Sequence, residues 1–321
     1  MQINKSYLYV GAGLLAMAGL TAWLVFKAPA KPGAAAADAA AEGLNKPRAI
    51  AFAKNGDLII VDSKNNRLEV RKETGKLVKR FGKLGVAKGE FREPCGVAVD
   101  KAGNVFVADT FHTMDPNGGL PWGRIQKFDD DYDFKAEFGK VEAAPAELFG
   151  PRAIAVDGQD RVWLSDTGNG RLLVYDDNGK FIQAVGKKGK KELEFDEPFG
   201  VAFDDQGNAY VADRLNFRIQ VVSKDFKFVR QFKVDGWEAA QINQEPYVAV
   251  DGKRGIVWVS DPTKKKVHRY NLMGKAHQAI DKGFDGPAQV AFSLPTGLAV
   301  KADGTLFVTD DGAGRVLTVK P

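Results

Sequence analysis

A sixfold repeat sets the strongest limit on what this chain can fold into. Prolines at Pro47, Pro94, Pro151, Pro198, Pro246 and Pro295 are spaced by 47, 57, 47, 48 and 49 residues, and the aspartates Asp62, Asp109, Asp166, Asp213, Asp261 and Asp310 keep the same spacings. Two residue types that stay in step through six units mark stacked structural repeats. Each unit holds short runs rich in β formers. The first follows the proline, as in Val97-Ala98-Val99 and Val201-Ala202-Phe203. The second ends at the aspartate, as in VFVAD and AYVAD. A third starts at Arg67, Arg124, Arg171, Arg218, Lys266 or Arg315, and a fourth follows a further turn, as in Phe181 to Val185. Turns rich in Asp, Gly and Asn, such as Asn55-Gly56-Asp57, suit tight hairpins between them. Four short antiparallel strands per unit, with no helical periodicity between units, predict an all-β fold, a six-bladed β-propeller over residues 44–321. The sixth unit ends at Val319, its third strand. The alanine-rich residues 34–44 are poor β formers for a donated fourth strand. Three strands with a partly exposed edge are expected there.

The order Pro-x-Gly-[Ile/Val]-Ala-[Val/Phe]-Asp followed by [aromatic]-[Val/Leu]-[Ala/Ser]-Asp-x-x-Asn-x-Arg resembles the NHL repeat. It is closest in Pro94 to Asp109, Pro151 to Leu172 and Pro198 to Ile219. The resemblance implies a propeller of a kind that binds RNA or protein and in some members is an enzyme. The amidating lyases among similar propellers hold zinc with histidines from several blades. Here the residues after the repeat prolines are Arg48, Cys95, Arg152, Phe199, Tyr247 and Thr296, and the chain has only His112, His268 and His277. The resemblance therefore does not carry that zinc site.

Ahead of the repeats lie a short head (residues 1–6), an uncharged run at residues 7–26 and an Ala/Pro linker at residues 27–43. A 20-residue helix spans about 30 Å, the thickness of a hydrocarbon core. Tyr7, Tyr9 and Trp23 stand near its ends, where amphipathic rings favour the interface. The expectation is a transmembrane signal anchor; a cleaved signal peptide is the rival, with Ala28-Pro29-Ala30 imitating a cleavage site. The short head favours a single-pass protein of the inner or plasma membrane with the propeller on the extracytoplasmic side.

The aspartates and arginines five apart, Asp62–Arg67, Asp166–Arg171, Asp213–Arg218 and Asp310–Arg315, are read as structural ion pairs across the second turn of each unit. Such a pair in solvent contributes about 0.2–1 kcal/mol. Function is sought where units depart from the pattern. Ten extra residues separate Asp109 from Arg124, placing His112 and Trp122 in a long loop. Arg48, Arg152, Lys187, Lys188 and the run Lys264-Lys265-Lys266 fall on the same side, and the net charge is +5. These residues define a candidate basic binding face for a protein, an anionic glycan or a lipid headgroup. Glu93, Glu197 and Glu245 precede repeat prolines near the predicted channel mouth and form the weaker alternative, a central divalent cation. The functional expectation is a membrane-anchored, non-catalytic binding propeller. A hydrolase or lyase with a central metal is the alternative, and an RNA-binding propeller a further one if the chain is cytosolic. Cys95 is the single cysteine, so no intrachain disulfide forms, and a buried thiol is expected.

Overall fold

Burial explains the strand pattern of each unit. In the second strands, Leu58–Asp62, Val162–Asp166, Ala209–Asp213 and Leu306–Asp310, every residue is buried. These strands pack against neighbouring blades on both faces, so they read as continuous apolar runs rather than alternating ones. The fourth strands lie at the rim. Phe228–Lys233 alternates between partly buried and exposed.

The computed structural model describes residues 43–110, 123–139, 148–237 and 245–320. The apolar run at residues 7–26, His112, Trp122 and most of the linker fall outside them. Among the described residues no helix is long and apolar enough to cross a membrane.

Five sheets run in simple consecutive order, with four antiparallel strands each, over residues 47–81, 94–138, 151–185, 198–233 and 248–280. They are blades 1 to 5. Blade 6 corrects the expected open edge. Its strands Pro295–Val300, Leu306–Asp310 and Arg315–Val319 are joined by a hairpin of Lys282–Asp285 and Ala288–Ala291, which adds two strands outside Arg315–Val319. The hairpin comes from the connection that precedes the blade, and it pairs through Phe284 opposite Thr318. Phe292, 3% exposed, anchors its return into the core.

The ring closes without an exchanged strand among the described residues. Blade 6 meets blade 1 through the edge-to-face pair Phe52–Phe307, at 5.5 Å between ring centroids. Thr296 donates to the Pro47 carbonyl at 3.2 Å. The first strands crowd together around the axis, which explains the repeated glycine. A Cβ on Gly200 would lie 2.6 Å from the Tyr247 Cα, and one on Gly297 would lie 2.6 Å from the Arg48 carbonyl oxygen.

The repeated aspartates staple each blade together. In blade 4, Asp213 Oδ1 accepts the Asp196 amide at 2.7 Å, and Oδ2 accepts Arg218 Nε at 2.7 Å. The same two bonds, from the amide two residues before the proline and from the strand-three arginine, recur at Asp62, Asp109, Asp166 and Asp310. The expected ion pairs are thus present, but their carboxylates are fully buried, not solvated as expected. Proline and aspartate stay in step because one side chain binds the backbone leading into the first strand to the turn leaving the second.

Asp109 is the least compensated of these carboxylates. Asp62, Asp166 and Asp213 also accept an amide N–H from Asn65, Asn169 and Asn216. Asp109 accepts no such amide among the described residues, and Arg124 Nε stands at 3.2 Å. Burial therefore prevails over the hydrogen bond from Arg92 and the charge of Arg124, pushing Asp109 up to about 6. A carboxyl group raised by folding stabilises the fold below its ordinary value, and that contribution is lost as pH rises through the folded value. The free energy of unfolding of the wild type should fall relative to Asp109→Asn as pH rises from 3.8 to about 6. Urea titrations across that range check this, and a rise would contradict it.

Candidate functional site at the channel mouth

The first strands surround an axial cavity of about 290 Å³. Its wall is made of small and branched side chains, including Ala51, Ala98, Ala155 and Ala202, and carries no charged side chain among its described lining residues. Polar chemistry begins at the end where the repeat prolines sit. There the residues after the prolines in blades 1, 2, 3 and 5 meet across the axis.

Glu245, just before Pro246, lies between two guanidinium groups. Its Oε2 is 3.5 Å from Arg48 Nε, and its Oε1 is 3.4 Å from Arg152 Nη1. Tyr247 reaches across to donate its hydroxyl to the Cys95 carbonyl at 2.7 Å. One carboxylate faces two arginines, and the charges of Glu93 and Asp311 also reach Arg48. Among the described residues, Arg48 Nε and Nη1 are buried and make no hydrogen bond, and neither does Glu245 Oε2. The side chain of Arg48 is only 11% exposed. Buried guanidinium N–H groups without an acceptor are costly, and an anion or ordered water would satisfy them.

The other predicted cation ligands are already matched to bases. Lys64 binds Glu93, and Arg214 binds Glu197 while lying over the Phe199 ring at 5.6 Å. Among the described residues no group of three or more His, Cys, Asp or Glu is placed to hold a metal ion. The three glutamates thus stand as partners of basic side chains. Glu93 and Glu197 adopt positive φ (63° and 53°). That left-handed turn, uncommon for residues with a side chain, aims the Glu197 carbonyl at the Arg214 amide.

The predicted basic face divides in space. Arg48 and Arg152 belong to the mouth. Lys187 and Lys188 form a two-residue parallel pairing with Glu194–Phe195 and stay exposed beside Glu194 and Asp196. Lys264 and Lys265 are exposed on the second turn of blade 5, and Lys266 opens its third strand. Sequence reasoning did not bring Glu245, Arg48 and Arg152 together, because the contact joins three blades across the ring. The available signal was that all three flank a repeat proline.

Cys95 lies behind this cluster, fully buried, with its sulfur 3.1 Å from Thr110 Oγ1. Burial pushes the thiol up to about 11, against the opposing charge of Arg152. Since the thiolate is the reactive form, the native chain should not react with an aromatic disulfide reagent at pH 8. One thiol per chain should titrate after denaturation. Rapid native labelling would contradict a buried thiol.

No protein-family model matches the chain. The Drosophila melanogaster protein brain tumor is 38% identical over 77 residues, which is 24% of this chain and 6% of that protein's length. Among solved structures, the Xanthomonas campestris gluconolactonase XC5397 superposes with a TM-score of 0.59 at 15% identity, covering 87% of this chain and 88% of that one. Catalytically inactive virginiamycin B lyase from Staphylococcus aureus with quinupristin gives 0.56 at 14%, covering 88% and 97%. The PQQ-bound aldose sugar dehydrogenase of Streptomyces coelicolor gives 0.53 at 17%, covering 86% and 94%. Identities this low establish likeness of architecture: residues 43–321 form an all-β, six-bladed β-propeller.

Proposed function

We propose that this chain is a recognition propeller whose working face is the proline-side mouth, where Arg48 and Arg152 engage an anionic group on a protein or an anionic polymer. The observation that carries this reading is Arg48 Nη1, buried and without a hydrogen bond among the described residues, beside a carboxylate shared with Arg152. Glu245 positions both guanidinium groups and offsets one of their charges. The repeat spacing and the short match to brain tumor support placing the chain among NHL-type propellers. The apolar run at residues 7–26 supports an anchor that holds the propeller outside the cytoplasm.

Calorimetric titration of the full-length chain in detergent with polyglutamate and with heparin tests the binding reading. Saturable binding to one of them, weakened roughly tenfold or more in Arg48→Gln, is expected. Equal affinity in wild type and variant would remove the mouth from the reading. Alkaline phosphatase fused after Pro321 should be active if the propeller is exported, and inactivity would place it in the cytoplasm.

A second reading, a hydrolase or lyase, draws on the gluconolactonase and lyase that share the architecture. It would be supported by turnover of lactone substrates that Arg152→Gln reduces.

A further inference from the structure

Blade 5 departs from the repeat in a way the mouth does not explain. In blades 1, 2 and 4, one blade face is filled by the strand-three residue opposite the repeated aspartate, the residue two further on, and the strand-four residue opposite the latter. These are Arg67, Glu69 and Arg80 in blade 1, Arg124, Gln126 and Glu137 in blade 2, and Arg218, Gln220 and Gln231 in blade 4. They bond one another: Arg67 to Glu69, Arg124 to Glu137, and Arg218 to Gln231. In blades 2 and 4 they also reach the preceding connection. Arg124 and Gln126 bond the Glu90 carbonyl, and Arg218 and Gln220 bond the Glu194 carbonyl.

Blade 5 has Lys266, His268 and Ala279 at these three positions, with His268 opposite Ala279 in register. The shortened side chains leave a cavity of about 430 Å³. Lys264, Lys266, His268, His277 and Tyr270 line it. Neither lysine ammonium forms an ion pair among the described residues. His268 is buried and held by Asp261, with Nε2 3.2 Å from Oδ2. His277, on the exposed fourth strand, joins it although the two lie nine positions apart. Asp235 also lines the cavity, and its backbone amide is used by Tyr270 Oη at 3.1 Å. Two lysines and two imidazoles face the one carboxylate of Asp235 among the described lining residues, so the lining favours negative charge.

We propose that this cavity, between blade 5 and Asp235-Gly236 of the connection before it, is a binding site for a small anion, with Lys264 and Lys266 holding a phosphoryl or carboxylate group and His268 and His277 hydrogen-bonding it. It goes beyond recognition at the mouth and does not depend on it. The volume admits a molecule up to about sugar-phosphate size. Asp261 fixes the orientation of the His268 ring, so this group is placed before a ligand arrives.

Because the chain has three histidines, imidazole NMR reads the site directly. The full-length chain is labelled on its histidine rings, and His268→Gln and His277→Gln assign the signals. Titration with inorganic phosphate, glucose 6-phosphate or citrate should shift the signals of His268 and His277 saturably and leave that of His112 in place. Response to the phosphates alone identifies a phosphoryl ligand, and response to citrate alone a carboxylate; either supports the site. Lys264→Gln/Lys266→Gln should weaken the response about tenfold or more, whereas Arg48→Gln should leave it unchanged. The inference is overturned by no saturable shift at tens of millimolar of any probe, by a response that survives the double lysine variant, or by loss of the response in Arg48→Gln.

Discussion

Replacing Glu69 with alanine should lower the free energy of unfolding by about 3–5 kcal/mol, the usual cost of stripping one partner from a buried charge cluster. Glu69 lies on the third strand of blade 1 with no exposed surface. Its carboxylate receives Arg67 Nη2 at 2.8 Å, Arg71 Nε at 2.7 Å and Arg80 Nε at 2.8 Å. Without it, three guanidinium groups crowd one face with Asp62, already bonded to Arg67 and Asn65, as the nearby anion. Glu69→Gln should cost less, since an amide oxygen still accepts one arginine and glutamine occupies the matching position at Gln126 and Gln220.

The pH dependence adds a second signature. Burial pushes Glu69 up, but hydrogen bonds from Arg80 and Arg71 and the charges of Arg71 and Arg67 outweigh it, and the group ends below its ordinary 4.5. A carboxylate depressed by folding stabilises above its unfolded value and loses that contribution as pH falls through the folded one. Wild type and Glu69→Gln should therefore converge in stability below pH 4.5. Urea denaturation followed by circular dichroism measures both effects. A loss under about 1 kcal/mol for Glu69→Ala would mean that the arginines relax into solvent.

Asp213→Ala is expected to have a comparable effect, about 3–5 kcal/mol, through a different mechanism. Besides the Asp196 amide and Arg218, this carboxylate accepts Asn216 Nδ2 at 2.9 Å and Gln220 Nε2 at 3.1 Å. Alanine leaves Arg218, 7% exposed, without its buried counter-charge, and leaves a backbone N–H without an acceptor. The damage should be local. Hydrogen exchange at the Asp196 amide should accelerate in Asp213→Ala, while amides of blade 1 keep their protection relative to the lowered global stability. Asp213→Ala/Arg218→Met should recover part of the loss, because the stranded charge is gone. If the double variant were the less stable by the sum of both single losses, the two groups would not be acting as a pair.

These two residues show how far the sequence leads. Asp213 could be read directly: its spacing to Pro198 and Arg218 repeats in other blades, and the structure shows why, since one carboxylate joins the three segments. Local, repeated contacts leave a periodic trace. Glu69 occurs once, so periodicity does not mark it. The same limit applies to the mouth. Glu245 meets Arg48 and Arg152 only because ring closure sets blades 1, 3 and 5 around one axis. The outer hairpin of blade 6 was hidden by Gly283 and by Asp285-Gly286-Pro287, which read as loop residues. His268 lies in the third strand of blade 5 and His277 in the fourth. Their meeting follows from strand register, which a hydrophobic pattern fixes only after the strands are paired.

The central functional claim is that the mouth accepts an anion at Arg48, and anomalous diffraction from bromide-soaked crystals of the chain tests it most directly. A bromide peak is predicted beside Arg48 Nη1, on the side away from Glu245, and it should vanish in Arg48→Gln. A mouth in which Nη1 is bonded to a protein group and no bromide binds would contradict the claim.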